Sequence, residues 1–419
     1  MMVLRLDKQL PQLLIALVGA SVVASLPQVD SAWTGVKEVY GEQDFGLRIL
    51  RELMLLVVIG FAVCDARFRR IALSAQVWTV ATIIAAYVLM ETVYALYLDL
   101  PLIVPVAGMR VFEYVPMAVI GLAVARIGAG DSVLIRFTRY LRYYVAFQGI
   151  LALAQAILAP PLFGVSILGG GRPFGTFVSP NLFGAAMSTC TLFFAIMEHP
   201  RLRRWMYASA FLALLSGSRT ALLASLLVIF FRMLSALRAR DRWALVLPAP
   251  LLAVGALALA SSPMLSGRDD ADPTQDGRID RWDQVLGDNI NSAVDLLFGW
   301  GLGLSSNTIN VLFGAEFFPG QFDSDSLYLY LWNGYGLIGL LAYLGAVWSS
   351  GALSAHAHRG MIMTFIFVAG LPFNLWEYFP QNAMLMFLWG VVMGTSRPRH
   401  LQMEAQYAGV PNSEYGHGR

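Results

Sequence analysis

ALSAQVWTVATIIAAYVLMETVYALYL, residues 72–98, decides the fold, because its one charged residue is Glu91. At ~1.5 Å per residue an α-helix of this length reaches roughly 40 Å, and the hydrocarbon core of a bilayer is ~30 Å thick. The run is therefore long enough to cross a membrane with room to tilt. Apolar runs of the same kind recur along the chain near 11–28, 50–65, 103–125, 143–160, 181–198, 205–217, 219–235, 243–262, 326–349, 360–378 and 382–396. With 72–98 they predict about twelve transmembrane helices.

Composition agrees. Hydrophobic residues make up 57% of the chain and charged residues 13%, whereas a soluble globular protein averages about 25% charged. A net charge of +2 is too small to point to a nucleic-acid partner. Cys64 and Cys190 stand far apart in apolar runs and build neither a disulfide framework nor a zinc spacing. Arg5 and Lys8 before the apolar Leu13–Leu26 resemble a secretory leader. So much apolar chain follows, however, that an uncleaved first span is the better reading.

Positive charge sets the expected orientation, since Lys and Arg collect on the cytoplasmic side. With the N-terminus inside, Arg67–Arg70, Arg126–Arg142, Arg201–Arg204 and Arg232–Arg242 all fall in cytoplasmic connections, and 20 of the 29 basic residues lie inside. Both termini are then cytoplasmic, as are all five histidines. The long connection from Ser261 to Asp325 lies outside, with ten aspartates and one glutamate against three arginines. The expected division is residues 1–262 for helices 1–9, 263–325 for a large outer loop with short amphipathic helices, 326–396 for helices 10–12, and 397–419 for a polar cytoplasmic tail.

Four polar groups stand at the outer ends of these spans. The first is Gly169–Phe177, glycine-rich around Arg172 and followed by Ser179-Pro180-Asn181. Glycine lets a backbone approach a ligand closely, and Ser179 or Asn181 is suited to cap the next helix. The second is Ser216-Gly217-Ser218-Arg219-Thr220, which puts an arginine where one apolar run stops and another starts. At that depth its charge must find a partner or snorkel to water. In the third, Gly277–Val285, helical spacing puts Arg278, Arg281, Trp282 and Val285 on one face and Asp276, Asp280 and Asp283 on the other. A basic face of this kind suits an anionic ligand or lipid phosphates. The fourth runs from Asp323-Ser324-Asp325-Ser326 through Tyr328 to Gly336 and Gly339. Aspartates there are favoured at a helix start by the macrodipole. Deep ionisable residues are few: Glu91 in the third span and Glu113 near the start of the fourth.

In this order, across roughly residues 165–345, the groups resemble the O-antigen ligase and polymerase (Wzy-like) superfamily of bacterial envelope glycosyltransferases. The resemblance rests on Arg-Pro-Phe-Gly-Thr-Phe, Ser-Arg-Thr-Ala-Leu-Leu, Gly-Arg with a following Trp in a large outer loop, Gly-Trp-Gly-Leu-Gly at Gly299–Gly303, and a polar doublet before Tyr-Leu and Gly-x-x-Gly. Ligases of the family typically carry a histidine in the last motif. Aligned on Gly336 and Gly339 that position holds Asp325, which favours a polymerase.

The resemblance implies an all-α, GT-C-like polytopic protein of the bacterial inner membrane with a large periplasmic loop. The implied activity joins polyprenyl-pyrophosphate-linked oligosaccharide repeat units at the periplasmic face. Arg172, Arg219, Arg278 and Arg281, with Arg110 as a further candidate, are then expected on the pyrophosphate, where guanidinium forks suit phosphate oxygens. Asp325 and Asp323 are the catalytic candidates, orienting or deprotonating the acceptor hydroxyl. Trp282, Tyr328 and Asn181 are candidates for sugar contacts or interface anchoring. No cofactor and no metal are expected, since the leaving group already carries its phosphates. The resemblance also implies a chain-length regulator and a flippase as partners. The rival expectations are a ligase passing finished glycan to lipid A core or protein, and a transporter of the same lipid-linked oligosaccharide, although transporters usually gather polar groups at the midplane.

Overall fold

The structure, a computed structural model, describes residues 6–34, 45–158, 168, 171–177, 179–197, 200–236, 293–306, 309, 326–354, 358–370 and 379–395. Among them every regular element is helical. The helices are α1 (Leu6–Thr34), α2 (Phe45–Cys64), α3 (Ala66–Ala72), α4 (Ala75–Tyr97), α5 (Ile103–Gly108), α6 (Val115–Arg126), α7 (Gly130–Leu158), α8 (Pro180–Ile196), α9 (Pro200–Leu215), α10 (Arg219–Ala236), α11 (Ala293–Phe298), α12 (Leu327–Leu353), α13 (Arg359–Gly370) and α14 (Gln381–Gly394). Among the described residues three stretches are both long and apolar enough to cross a membrane: Ala75–Tyr97, Gly130–Leu158 and Leu327–Ala352. Lys8–Ala24, Val115–Arg126, Pro180–Ile196, Arg359–Gly370 and Gln381–Gly394 are shorter apolar helices.

The bundle is built around α8, whose residues from Phe183 to Ile196 are all buried. A helix apolar on every side belongs inside other helices. Its neighbours α9 and α10 pack along it, and its few hydroxyls bond inward: Thr189 to Ala185 O, and Thr191 to Met187 O and the Ser209 hydroxyl on α9. The tightest pairing joins α6 and α14. There a Cβ on Gly121 would overlap Phe387 O, one on Gly390 would overlap Ala118 O, and one on Gly394 would overlap Leu122 O. Small residues that let backbones touch replace the hydrophobic effect as the source of cohesion between helices in lipid.

Helix limits depart from the sequence expectation by about five residues at α1, α2 and α9, and by more in two places. The apolar run 103–125 is two helices, α5 and α6, separated by a 3-10 turn at Met109–Phe112 and by Glu113 and Tyr114. The span drawn at 143–160 starts earlier, since α7 begins at Gly130 and includes Arg136, Arg139 and Arg142. The tight turn at 216–218 between α9 and α10 is where the sequence puts it. The run 243–262 lies outside the described residues.

α12 is interrupted at Gly336, whose backbone adopts φ 62° and ψ −165°. A Cβ there would overlap Leu297 O in the last turn of α11 and Gly299 N just after it. The helix breaks where another stretch of backbone presses against it, and glycine is what the left-handed φ and the contact both require.

Candidate functional site

The loop from Gly171 to Phe177 leads into α8 and is held from below by two glutamines of α7. Gln155 Oε1 accepts the backbone N–H groups of Phe174 at 3.0 Å and Gly175 at 2.7 Å, while its Nε2 donates to Gly175 O at 3.0 Å. Gln148 Oε1 accepts Thr176 N–H at 3.1 Å and its Nε2 donates to Thr176 Oγ1 at 2.6 Å. Both glutamines are 0% exposed. They stand seven residues apart, two helical turns along one face, and satisfy loop backbone that no water reaches. At Gly175, with φ +57°, a Cβ would run into Gln148 Oε1 and Phe183.

Arg172 leaves this loop toward the start of α8 and the turn that closes α9 and leads into α10. Its Nε donates to Ser216 O at 3.0 Å, in the turn that precedes α10, and its Nη2 makes a long 3.5 Å contact to Asn181 Oδ1 in the first turn of α8. Ser179 caps α8, its hydroxyl accepting Leu182 N–H at 3.4 Å, with Pro180 at the first helical position. Ser218 does the same for α10 by accepting Ala221 N–H at 3.4 Å, after Gly217 turns the chain with φ +65°. The two ends lie side by side because Gly184 of α8 has no side chain: a Cβ there would stand 2.6 Å from Ser216 Oγ and 2.8 Å from Ala221 Cβ. Each helix start carries the positive end of a macrodipole and N–H groups without an intrahelical partner. Arg219 is the first residue of α10 and is half-buried.

Gln381, at the head of α14, completes this end of the bundle. It is 1% exposed, and its Nε2 donates to Leu182 O at 3.0 Å, beside Asn181. Its Oε1 is buried with no hydrogen-bond partner among the described residues.

The other candidates are placed less closely together. Tyr328 lies in the first turn of α12, with its hydroxyl donating to Phe367 O at 2.7 Å and its ring against Phe367 and Tyr343. The backbone of Arg110 belongs to the 3-10 turn between α5 and α6. Arg278, Arg281, Trp282, Asp323 and Asp325 lie outside the described residues. Of the expected set, Arg172 and Asn181 are brought together, with Arg219 at the start of the helix whose preceding turn Arg172 binds.

A second polar cluster surrounds Gly299–Gly303. Gly299, Gly301 and Gly303 all have positive φ, of 77°, 112° and 102°. Gly303 lies against α5, where its Cβ would overlap Val104 O, and Gly299 lies against the break in α12. Trp300 N–H donates to Asn333 O at 2.7 Å, and Asn333 Nδ2 donates to Ser305 Oγ at 2.6 Å. From the other side α4 offers Glu91, which is 1% exposed although it stands in an apolar helix.

Gln148, Gln155 and Gln381 escaped the sequence reading. The first two had a usable signal, paired amides two turns apart in an otherwise apolar run; Gln381 had none, because its partner is 199 residues away.

Comparison with curated proteins and with solved structures finds no match for the chain. The stretch from α9 to α12, residues 205–344, matches the family model described as O-antigen ligase (Wzy_C). It contains Arg219, the Gly299–Gly303 turn, Tyr328 and Gly336, and it supports assigning this part of the chain to the O-antigen ligase and polymerase superfamily of membrane glycosyltransferase-like proteins.

Proposed function

We propose that the protein is a polysaccharide polymerase that joins polyprenyl-pyrophosphate-linked oligosaccharide repeat units at the periplasmic face of the bacterial inner membrane. The observation that carries this reading is the seat of Arg172 on the turn between α9 and α10, beside the capped starts of α8 and α10. Two helix N-termini and a guanidinium make an anion site suited to a diphosphate. Each helix start favours an anion by about 0.3–1 kcal/mol, rising toward ~2 in partly buried geometry. Arg219 at the head of α10 adds a second cation to the same end.

In the reaction the bond between the donor sugar's anomeric carbon and the diphosphate oxygen breaks, and its electron pair leaves on the diphosphate. The acceptor hydroxyl oxygen forms the new glycosidic bond, and its proton passes to a carboxylate, for which Asp325 with Asp323 beside it is our candidate. Arg278, Arg281 and Arg110 are our further candidates for the leaving group, and Asn181, Trp282 and Tyr328 for sugar contacts. The accompanying topology is about twelve spans, with both termini cytoplasmic, the 263–325 connection periplasmic and 397–419 a cytoplasmic tail.

The description of the matched family supports a second reading, a ligase that transfers finished glycan to lipid A core or protein. Glycan profiling of the carrier lipid in a deletion strain separates them. Loss of a polymerase leaves single repeat units on the carrier; loss of a ligase leaves long chains there. Purified protein that lengthens glycan from lipid-linked units without ATP or an ion gradient excludes a transporter. Failure to do so would overturn the polymerase assignment.

A further inference from the structure

α4 turns Trp78, Ile83, Leu89 and Val93 outward, each more than half exposed, as a lipid-facing helix does. Its inward stripe is polar. Tyr87, Glu91 and Tyr94 follow i, i+4, i+7 and therefore share one face. They reach three successive pieces of the matched region. The Tyr94 hydroxyl donates to Asp295 Oδ1 at 3.1 Å on α11; the Glu91 carboxylate faces the backbone N–H of Leu302 within the glycine turn and the Tyr87 hydroxyl; and Tyr87 donates to Tyr335 O at 3.3 Å, next to the break in α12. Tyr87 and Tyr335 also stack, with ring centroids 5.8 Å apart. Asp295 O in turn accepts Gly299 N–H at 2.7 Å, so the three contacts form one connected network.

Glu91 is an expensive choice for this work. Its Oε2 is buried with no hydrogen-bond partner among the described residues, and a carboxylate oxygen left unmet in a low-dielectric interior disfavours the folded state. An apolar residue of similar size would avoid that cost. Stability alone therefore does not account for the residue.

We infer that Glu91 is a positioning residue, the centre of a clamp by which α4 holds the Gly299–Gly303 turn and the head of α12 in fixed register for the transfer reaction. The clamp deepens the glycosyl-transfer reading and rests on it for its purpose, while its geometry is independent of the chemistry. Glu91 acts through the Leu302 amide, not on the sugar, so donor binding at Arg172 does not depend on it.

The test compares Glu91→Gln, which keeps an acceptor for Leu302 N–H, with Glu91→Leu, which keeps bulk and removes the acceptor. Purified full-length chain is followed by melting temperature, by amide hydrogen exchange at residues 299–306, and by kcat and KM with lipid-linked repeat units. E91L is expected to melt at or above wild type. Its exchange in 299–306 should quicken about tenfold, and its kcat should fall at least about tenfold with KM for the lipid-linked donor unchanged. E91Q should resemble wild type in all three. Tyr94→Phe, which removes only the hydroxyl on Asp295, should shift exchange and kcat the same way by a smaller factor and keeps the test alive if E91L does not fold.

Unchanged exchange in E91L and Y94F overturns the clamp. So does a lowered melting temperature with unchanged turnover per folded molecule, or an E91Q as impaired as E91L. Should wild-type protein lengthen no glycan, glycosyl transfer fails as the reaction and the exchange comparison alone decides the clamp.

Discussion

Gln155→Leu tests whether the loop that presents Arg172 is held by α7. The leucine fills similar space but leaves Phe174 N–H, Gly175 N–H and Gly175 O without the partners that Gln155 gives them at 2.7–3.0 Å. The site is buried, so water does not replace them without rearrangement. A buried polar group stripped of its partner costs about 1–3 kcal/mol. Three neighbouring groups do not add independently, and the expected loss is about 3–6 kcal/mol. Gln148→Leu strips Thr176 N–H of its acceptor and frees a hydroxyl that rotates to find another, so its cost should be smaller, about 1–3 kcal/mol. Thermal unfolding of purified protein in one detergent, with glycan extension measured on the folded fraction, gives the order. Wild type should be most stable, then the residue-148 variant, then the residue-155 variant, with extension falling in the same order as Arg172 loses its register. A Gln155→Leu protein that melts with wild type, or above the Gln148→Leu protein, refutes the reasoning.

Arg172→Ala should lower glycan extension about 10²–10³-fold at unchanged protein level. Arg172→Lys should recover little of that, because an ammonium does not reproduce a fork that spans Ser216 O and Asn181; quantified polymer in a complemented deletion strain checks both. Gly336→Ala should destabilise the fold by at least about 1–2 kcal/mol, since a Cβ meets both a left-handed φ and the Leu297–Gly299 backbone; thermal unfolding measures it. Single cysteines at positions 278 and 325 should react with a membrane-impermeant thiol reagent from the periplasmic side. Labelling only after the inner membrane is breached would contradict the proposed topology.

Much of the helical frame was legible because lipid imposes a simple rule: long apolar runs become helices. The turn at Ser216-Gly217-Ser218 was readable since glycine and serine in an apolar context have little other use, and of the two capping candidates, Ser179 and Asn181, Ser179 proves to be the cap. The division of 103–125 went unread although Arg110, Glu113 and Pro116 interrupt the run, because the length suits one span and part of the cause is tertiary, with Gly303 pressed against Val104 and Gly108 from nearly two hundred residues away. Arg172 was legible as an exposed cation in a glycine-rich loop, whereas its bond to Ser216 O depends on how closely α8 and α10 approach at Gly184. Glu91 stood out as a deep charge, but its contact with Leu302 crosses the whole middle of the chain.

The glycine contacts of α6 and α14 bear on which parts of the bundle can move separately. Where backbones meet at Gly121, Gly390 and Gly394 there is no layer of side chains to slide over, so the two helices behave as one stiff beam. Gln381 rides on the end of that beam and is tied to α8 through Leu182. A rearrangement of the bundle therefore carries α6, α14 and the head of α8 together, so the end that holds Arg172 keeps its shape while other helices move.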